Sequence, residues 1–287
     1  MPGIFFALIS YFGWGTGDIF ATIATRKIGS YSTTVWYSII VAILYIPLTF
    51  FFVDSLQNLS LSIFILNIFL GLVAKIGIIS FYEALKIANA SLVGTISASF
   101  VAIVVIFSIV FLNERINNNQ IFAIAIIFLG VIISISDYSI LKNIKSLANK
   151  GILLAVITMF AWGTYHSFIK IPISKIGWFW PEVISAYTFP SVLIYMRLRN
   201  IKLKLPGYKG ATLPVVANAL ILVAAEFSYN FAISKNLVSL VAPIAGSYPT
   251  LFVILAFIFF KDKITKQQIT GIVITLICIV LLSILSS

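Results

Sequence analysis

The sequence predicts an all-α integral membrane protein in which ten transmembrane helices form two inverted repeats of five. Hydrophobic residues make up 61% of the chain and charged residues only 9%, a balance that water-soluble domains do not have. The apolar residues fall into ten long runs, and the first half of the chain recurs in the second half at a fixed offset. Composition, run length and duplication together exclude a soluble fold.

Each apolar run has about 20 residues, the length that a helix needs to cross a hydrocarbon core about 30 Å thick. Ile and Val are frequent in these runs, but a membrane β-strand would span only about 10 residues and would alternate polar with apolar side chains. Helices therefore fit better than strands. The predicted spans 1 to 10 are approximately residues 3 to 24, 32 to 53, 61 to 86, 90 to 112, 119 to 137, 150 to 171, 180 to 197, 213 to 234, 238 to 260 and 267 to 285.

The duplication has an offset of 148 residues and contains no gap. The residues that recur include Phe12, Trp14, Gly15 and Thr16 of span 1, which return as Phe160, Trp162, Gly163 and Thr164 of span 6. Because each copy has an odd number of spans, the second copy must enter the membrane from the opposite face, so the repeats are predicted to be inverted. The first repeat is predicted at 1–140, a connecting loop at 141–149 and the second repeat at 150–287.

The net charge of +11 is concentrated at the ends of the spans, which argues against a nucleic-acid-binding surface. Of the 19 Lys and Arg residues, 14 follow odd-numbered spans: Arg26, Lys27, Lys86, Lys142, Lys145, Lys150, Arg197, Arg199, Lys202, Lys204, Lys209, Lys261, Lys263 and Lys266. The opposite side has Arg115, Lys170, Lys175 and Lys235. By the positive-inside rule, we expect a plasma-membrane protein whose richer side is cytoplasmic and whose termini both lie outside.

Several short motifs are typical of one family of membrane proteins. They are FGWGT at 12–16 and FAWGT at 160–164, FYEALK at 81–86, FLNER at 111–115 followed by Gln120, and FFKDK at 259–263 preceded by Pro249. Through these motifs the whole chain resembles the EamA-type members of the drug/metabolite transporter superfamily. The resemblance implies two five-helix repeats and transport of small metabolites by alternating access, commonly coupled to protons or to exchange. It also implies cytoplasmic termini, whereas the charges predict the opposite orientation, which we follow.

Ionisable side chains at membrane depth are candidates for function, because each costs at least about 2.5 kcal/mol to place there. Lys75 in span 3 and Glu226 in span 8 lie closest to the middle of the bilayer, so an ion pair between them is predicted. The pair either locks two helices together or opens to bind a zwitterion, whose carboxylate would contact Lys75 and whose amine would contact Glu226 or Asp18. The ionisable residues within spans are Asp18, Lys75, Glu83, His166, Glu182 and Glu226.

Asp18 and His166 differ by the 148-residue offset and therefore occupy equivalent positions in the two repeats. If they lie within reach of each other, they could share a proton that is exchanged for substrate. His166 is equally well explained as a hydrogen-bonded packing residue, and Gly13 and Gly17 are best explained as close helix contacts. Because His166 is the only histidine, a histidine-based metal site is excluded, and we expect no cofactor.

Further polar and aromatic residues could extend this interior site. Tyr82 and Glu83 follow Lys75 by seven and eight residues and so share its helical face, while Asn230 lies one turn beyond Glu226. We expect these residues to extend a polar stripe towards the two exits of a cavity. The equivalent residues Trp14 and Trp162 could cap the cavity, stack on a cationic substrate, or simply pack.

Acidic and basic neighbours recur before spans 5 and 10, as Glu114 with Arg115 and Asp262 with Lys263. Capping of the following helix and local charge pairing account best for them. Span 9 also contains two prolines, which are expected to kink it, whereas the equivalent positions of span 4 have none.

The predicted function is secondary active transport of a small polar metabolite, most simply an amino acid or related amine, with protons as a candidate coupling ion. Organic cations or drugs, sugars and nucleotide-type metabolites are the alternatives within transport. A channel would show a ring of repeated pore-lining residues, and an enzyme would need a nucleophile or a metal set; the sequence displays neither. The expected partners are the lipid bilayer and a small-molecule substrate, with the protein a monomer or weak homodimer.

Overall fold

The computed structural model describes residues 2–88, 90–135, 150–261 and 264–286. The fold is 86% helix, and the described residues include no strand. The helices are α1 (Pro2–Ile28), α2 (Ser30–Thr49), α3 (Leu61–Ile87), α4 (Ala90–Ala98), α5 (Phe100–Phe111), α6 (Asn118–Ile135), α7 (Lys150–Phe168), α8 (Lys170–Ile176), α9 (Phe179–Ala186), α10 (Pro190–Leu198), α11 (Thr212–Lys235), α12 (Val238–Ala245), α13 (Tyr248–Phe260) and α14 (Lys266–Leu285). The predicted connecting loop at 141–149 lies outside the described residues, as do Asp262 and Lys263.

Within the described ranges, eight helical segments are long and apolar enough to cross a membrane. They are Pro2–Ile28, Ser30–Thr49, Leu61–Ile87, Asn118–Ile135, Lys150–Ile176, Thr212–Lys235, Val238–Phe260 and Lys266–Leu285. Predicted span 4 is divided into α4 and α5 and predicted span 7 into α9 and α10, and neither is among these eight segments. The chain is therefore a multi-pass, all-α membrane protein.

The break between α4 and α5 lies at Ser99, and the break between α12 and α13 includes the equivalent Ser247. The Ser99 N–H donates to the Ile96 carbonyl at 3.1 Å, and the Ser247 N–H donates to the Ile244 carbonyl at 3.3 Å. These bonds between residues three apart tighten each helix into a turn. Span 9 is broken, as its prolines predicted, but span 4 is broken at the equivalent position without proline. The turn belongs to both repeats and does not need proline.

Span 7 is divided for a different reason. Helix α9 ends at Ala186 and α10 restarts at Pro190, which lies at the first turn of α10. Proline has no N–H to donate to the preceding turn, but it fits the first turn of a new helix without loss. The division leaves α9 short and places its acidic residue, Glu182, in the first turn.

The most extensive helix contact joins α1 of the first repeat to α11 of the second. A methyl group on Gly3 would meet Asn236, and one on Gly17 would meet Leu222, so the two helices run antiparallel. A methyl group on Gly13 would lie 2.6 Å from the Cβ of Ala225. The glycines of α1 therefore allow close helix packing, as the sequence indicated.

The equivalent pair, α3 with α7, packs in the same manner. A methyl group on Gly151 would lie 2.4 Å from the Cβ of Ala88, and Thr158 donates its hydroxyl to the Gly77 carbonyl at 3.2 Å. Gly151 and Ala88 are the 148-offset equivalents of Gly3 and Asn236. The contact between repeats is thus itself duplicated.

Helices α6 and α14, the last of each sequence repeat, also run antiparallel. Gln120 donates its side-chain amide to the Leu285 carbonyl at 3.0 Å, and Gln267 donates to the Ile133 carbonyl at 3.0 Å. Between these ends, a methyl group on Gly271 would lie 2.6 Å from the carbonyl oxygen of Gly130. Opposite directions of equivalent helices are what an inverted duplication requires.

Matching caps begin α6 and α14. Asn117 and Gln120 exchange two bonds between side chain and backbone, each 2.9 Å long, before α6. Thr265 and Gln268 exchange the corresponding bonds before α14. These reciprocal pairs satisfy amide groups that the first helical turn leaves without partners. The caps are therefore not made by the acidic residues that the sequence suggested.

Glu114 instead caps a helix of the other repeat. Its carboxylate accepts the backbone N–H groups of Val238 at 2.7 Å and Ser239 at 2.8 Å, and the Ser239 hydroxyl at 2.6 Å. An anion at a helix N-terminus is stabilised by the unpaired N–H groups and by the helix dipole. The predicted local role of Glu114 is therefore wrong. It fastens the end of α5 to the start of α12.

The outer surface of the helical assembly is apolar, as a lipid-facing surface requires. Large apolar side chains with more than half of their area exposed include Phe5, Ile65, Phe122, Ile277 and Ile284. Polar residues such as Ser10, Asn67, Thr158 and Thr275 are instead fully buried between helices. Apolar side chains outside and polar side chains inside are the reverse of the pattern in a soluble protein, so a polar functional site is expected in the interior.

Candidate functional site

The candidate site centres on the contact between α1 and α11. Trp14 donates its indole N–H to the Glu226 Oε1 at 2.8 Å. The Trp14 ring is buried, and its centroid lies 5.2 Å from the Tyr229 ring and 5.7 Å from the Tyr248 ring. Glu226 is thus held against an aromatic wall inside the protein. The bond from Trp14 fixes the direction of its carboxylate.

A second carboxylate, Glu182 of α9, lies in the same region. It is buried and accepts a hydrogen bond from the Tyr165 hydroxyl at 3.0 Å. Asn67 of α3 donates to the Pro181 carbonyl at 2.8 Å and so holds the start of α9 in place. Sequence reasoning identified Glu182 as ionisable but did not select it, because Pro181 places it near a span end. The position of α9 within the fold brings it inside.

Lys75 of α3 interacts electrostatically with both Glu182 and Glu226. It makes no hydrogen bond or ion pair with any described residue. The ion pair between Lys75 and Glu226 that equal depth predicted is therefore absent from this structure. The half-buried ammonium group remains available for an anionic group.

Asp18 lies one helical turn beyond Trp14, about 6 Å further along the axis of α1. It interacts electrostatically with Tyr82 and Tyr248. Among the described residues, none donates a hydrogen bond to its carboxylate or forms an ion pair with it. Asp18 is therefore an acidic group in the interior without a fixed partner.

His166 does not pair with Asp18, so the direct proton sharing suggested by their symmetry is not formed here. Its ring lies among four aromatic rings, those of Trp14, Phe100, Tyr165 and Tyr229, at centroid distances of 5.5, 5.2, 5.0 and 5.2 Å. Its Nδ1 is buried and has no hydrogen-bond partner. His166 thus joins the aromatic wall and presents one unused polar atom.

Trp162, the equivalent of Trp14, has a different environment. Its ring lies 5.4 Å from Phe81 and 6.1 Å from Phe100. A methyl group on Gly77 would meet the indole at 2.5 Å, so the ring packs directly on the backbone of α3. Of the two tryptophans, Trp14 lines the site and Trp162 packs between helices.

Tyr82 and Glu83 lie at one end of the site, near the end of α3. Tyr82 accepts a hydrogen bond from the Thr34 hydroxyl at 3.3 Å. Glu83 accepts hydrogen bonds from the Tyr31 hydroxyl and from Lys86, whose ammonium lies 2.6 Å away. The side chain of Glu83 is partly exposed, as is that of Lys86. These bonds form a polar network between α2 and the end of α3.

The opposite end is lined by aromatic side chains. Asn230 is only 1% exposed, and its Nδ2 has no hydrogen-bond partner. The next residue, Phe231, packs against Phe6 at 4.4 Å and Trp178 at 5.9 Å. Glu114 fastens α12 at this end. The Asn230 side chain is buried beside the Glu182 carboxylate of the site.

The assembled site has three carboxylates, one ammonium group and aromatic walls. Within the part of the chain that the structure describes, no three His, Cys, Asp or Glu residues lie close enough to hold a metal ion. Carboxylates bordered by aromatic faces suit an amine, and an unpaired ammonium suits a carboxylate. The chemistry available is therefore reversible binding of a small charged molecule.

Comparison with known proteins agrees with this arrangement. The model of the EamA-like transporter family matches the chain twice, over residues 1–136 and 149–284. The chain belongs to the EamA-like transporter family. Members of this family, in the drug/metabolite transporter superfamily, are transporters and not enzymes. The two matches give this EamA-like protein its two-repeat architecture.

Two further similarities extend the comparison. The protein named Uncharacterized protein MJ1333.1 of Methanocaldococcus jannaschii is 28% identical to this EamA-like chain over 135 residues, which are 47% of this chain and 96% of the relative. A solved structure, titled only as the crystal structure of a protein, aligns over 99% of this chain and 98% of its own with a TM-score of 0.79. At 14% identity that alignment shows the shared fold alone.

Proposed function

We propose that this EamA-like protein is a secondary transporter that moves a small amine-bearing metabolite, most simply an amino acid, by alternating access. The observation that carries the proposal is the unpaired Lys75 ammonium, which faces Glu182 and Glu226 in the interior without bonding to either. Static ion pairs that only lock helices bond directly. Charged groups held apart leave room for a molecule that carries both charges.

An α-amino acid has both an anionic and a cationic group, so it would contact the basic and the acidic side chains of the site together. Its carboxylate would bind Lys75, and its amine would bind Glu226, where the indole of Trp14 already orients one carboxylate oxygen. The rings of Tyr229 and Tyr248 lie beside Trp14 and would cover the ammonium group. An organic cation would use only the acidic half, and a neutral sugar would need neither charge.

We further propose that the chain crosses the membrane ten times as two inverted repeats, with the broken pairs α4–α5 and α9–α10 forming the fourth and seventh spans. The antiparallel course of α6 and α14 supports the inversion. The excess of Lys and Arg after odd-numbered spans supports external termini. In this orientation the polar network around Glu83 faces the cytoplasm and the aromatic end faces outside.

A difference between equivalent helix pairs supports an inward-facing state. Helix α12 packs against α5, while their equivalents, α4 and α13, show no comparable contact among the described residues. Glu114 reinforces the first contact. In alternating access one repeat rocks against the other around a fixed site, so one side closes as the other opens. The contact at α12 would close the outer side.

Uptake into proteoliposomes tests the proposal. The full-length protein is reconstituted and offered a mixture of labelled amino acids, and we expect saturable uptake that Lys75→Met reduces to background. Lys202→Met, in an exposed loop, is the matched control and should retain full uptake. Absence of uptake and counterflow for every amino acid and amine offered would refute the proposed function.

Proton coupling is assigned to Asp18, because its carboxylate has no partner among the described residues and lies one turn from the substrate site. In Asp18→Asn, uptake driven by a pH gradient should be lost, whereas counterflow of a neutral amino acid should continue. Full gradient-driven uptake in this variant would remove Asp18 from coupling.

A further inference from the structure

The interior contains more acidic groups than basic ones. Asp18 and Glu226 both interact with Tyr248, Glu182 interacts with Glu226, and Lys75 is the one ammonium group among the described residues that interacts with the two glutamates. A zwitterion brings one charge of each sign and leaves this excess unchanged. A substrate with a second cationic group would reduce it.

The carboxylates of Glu226 and Asp18 lie at two separate positions in the site. Glu226 is bonded to Trp14, and Asp18 follows Trp14 by one turn, about 6 Å along α1. Tyr248 interacts electrostatically with both Asp18 and Glu226 and so lies near both of them. A molecule that contacts both carboxylates would therefore pass the Tyr248 ring, which can cover its aliphatic part.

Both of these carboxylates have oxygen atoms that accept no hydrogen bond from a described residue. Trp14 bonds to one oxygen of Glu226, and the other oxygen accepts no hydrogen bond from a described residue. The carboxylate of Asp18 accepts none from them either. A fixed protein partner would have occupied these oxygens if the groups served only to hold the helices together.

From this placement we infer that the site selects dibasic amino acids over neutral ones. The α-carboxylate binds Lys75, the α-amine binds Glu226, and the side-chain cation binds Asp18 beside Tyr248. Lysine, ornithine and arginine have this pattern of one anionic and two cationic groups. The inference rests on the proposed function, since it names the substrate class of the same site.

Isothermal titration of the purified full-length protein with three ligands tests each contact separately. L-Lysine has all three charged groups. L-Norleucine keeps the four side-chain carbons without the ammonium group, and 1,5-diaminopentane lacks the carboxylate. We expect lysine to bind about tenfold or more tightly than norleucine, because one charge-assisted hydrogen bond is gained.

Two variants assign the groups. Asp18→Asn should weaken lysine binding about tenfold and change norleucine binding less than twofold. Lys75→Met should weaken lysine and norleucine but leave diaminopentane binding intact, which also shows that the variant is folded. Asp54→Asn, an equivalent change at an exposed position of the short 3-10 helix that follows α2, should alter none of the three affinities.

The outcomes separate this inference from the function on which it rests. Equal affinities for lysine and norleucine, or an equal loss of both in Asp18→Asn, would overturn the dibasic preference and leave amino-acid transport standing. If none of the three ligands binds and no amino acid is taken up, the proposed function fails and the inference fails with it.

Discussion

Trp14 and Trp162 occupy equivalent positions in the two repeats, but the residues around them differ in chemistry. Each indole lies beside two aromatic rings at equivalent positions, Tyr229 and Tyr248 for Trp14. For Trp162 these positions are Phe81 and Phe100, which have the same rings without hydroxyl groups.

The largest difference is at the position of Glu226. The 148-residue offset assigns Ile78 to the equivalent place in the first repeat. Trp14 therefore bonds to a carboxylate, while Trp162 packs on the backbone of Gly77. The same helix arrangement therefore places a carboxylate beside Trp14 and an apolar helix contact beside Trp162. Fold symmetry does not imply equal chemistry.

The strongest test of this contrast is Glu226→Gln. Removing the charge that binds the substrate amine should lower affinity about 100-fold, since a desolvated charge pair contributes about 2 to 5 kcal/mol. Affinity is measured by titration with the best amino-acid ligand. Ile78→Val at the equivalent position should bind normally. Unchanged affinity in Glu226→Gln would show that the two copies do not differ as described.

Gly77→Ala tests the packing copy. The added methyl group would lie 2.5 Å from the Trp162 ring, so the ring must move, at a cost of about 2 kcal/mol in the free energy of unfolding. A fall of several degrees in melting temperature should result, with ligand affinity retained. Gly94→Ala is the matched control, because nothing lies within 4 Å of the added atom. Equal melting temperatures for both variants would contradict the packing role.

Exchange of each tryptophan for phenylalanine compares the copies directly. Trp14→Phe removes the 2.8 Å donor to Glu226 and should weaken ligand binding about tenfold, the effect of one hydrogen bond to a charged group. Trp162→Phe removes no hydrogen bond formed among the described residues and should leave affinity within about twofold. Equal losses of affinity in Trp14→Phe and Trp162→Phe would contradict the described difference between the two tryptophans.

The smallest expected effect comes from the hydroxyl groups that distinguish the two aromatic pairs. Tyr229 donates its hydroxyl to the His166 carbonyl at 3.2 Å, so Tyr229→Phe should cost about 1 kcal/mol, or a fivefold loss of affinity. Phe81→Tyr makes the reverse change in the packing copy and should not improve binding. Titration of both variants decides whether the hydroxyl group contributes.

Much of the architecture was predictable because the membrane restricts the possibilities. Backbone groups in lipid must bond within their own segment, so ten apolar runs predict helices without knowledge of their neighbours. The family, the two repeats and the importance of Trp14 and Glu226 follow from motifs, offset and depth. Asp18 and Lys75 were found because charged residues within spans are rare.

Tertiary structure decided which of these groups meet. Equal depth predicted a bond between Lys75 and Glu226, and repeat symmetry suggested one between Asp18 and His166, and neither forms. The partner of each group depends on rotation about the helix axis, which neither depth nor symmetry reports. Glu182 lies in the site because span 7 breaks before Pro190, which leaves Glu182 in the first turn of the short helix α9. Glu114 caps a helix 124 residues away, a contact that local sequence rules cannot anticipate.

The sequence by itself therefore determined the helices, the duplication and the set of buried charges, since these depend on transfer to lipid and on residue spacing. Only the folded arrangement decided the partner of each charge, the difference between Trp14 and Trp162, and the aromatic packing at the opposite end of the site. Such features depend on packing between helices distant in the chain, where small differences in position decide whether two polar groups bond.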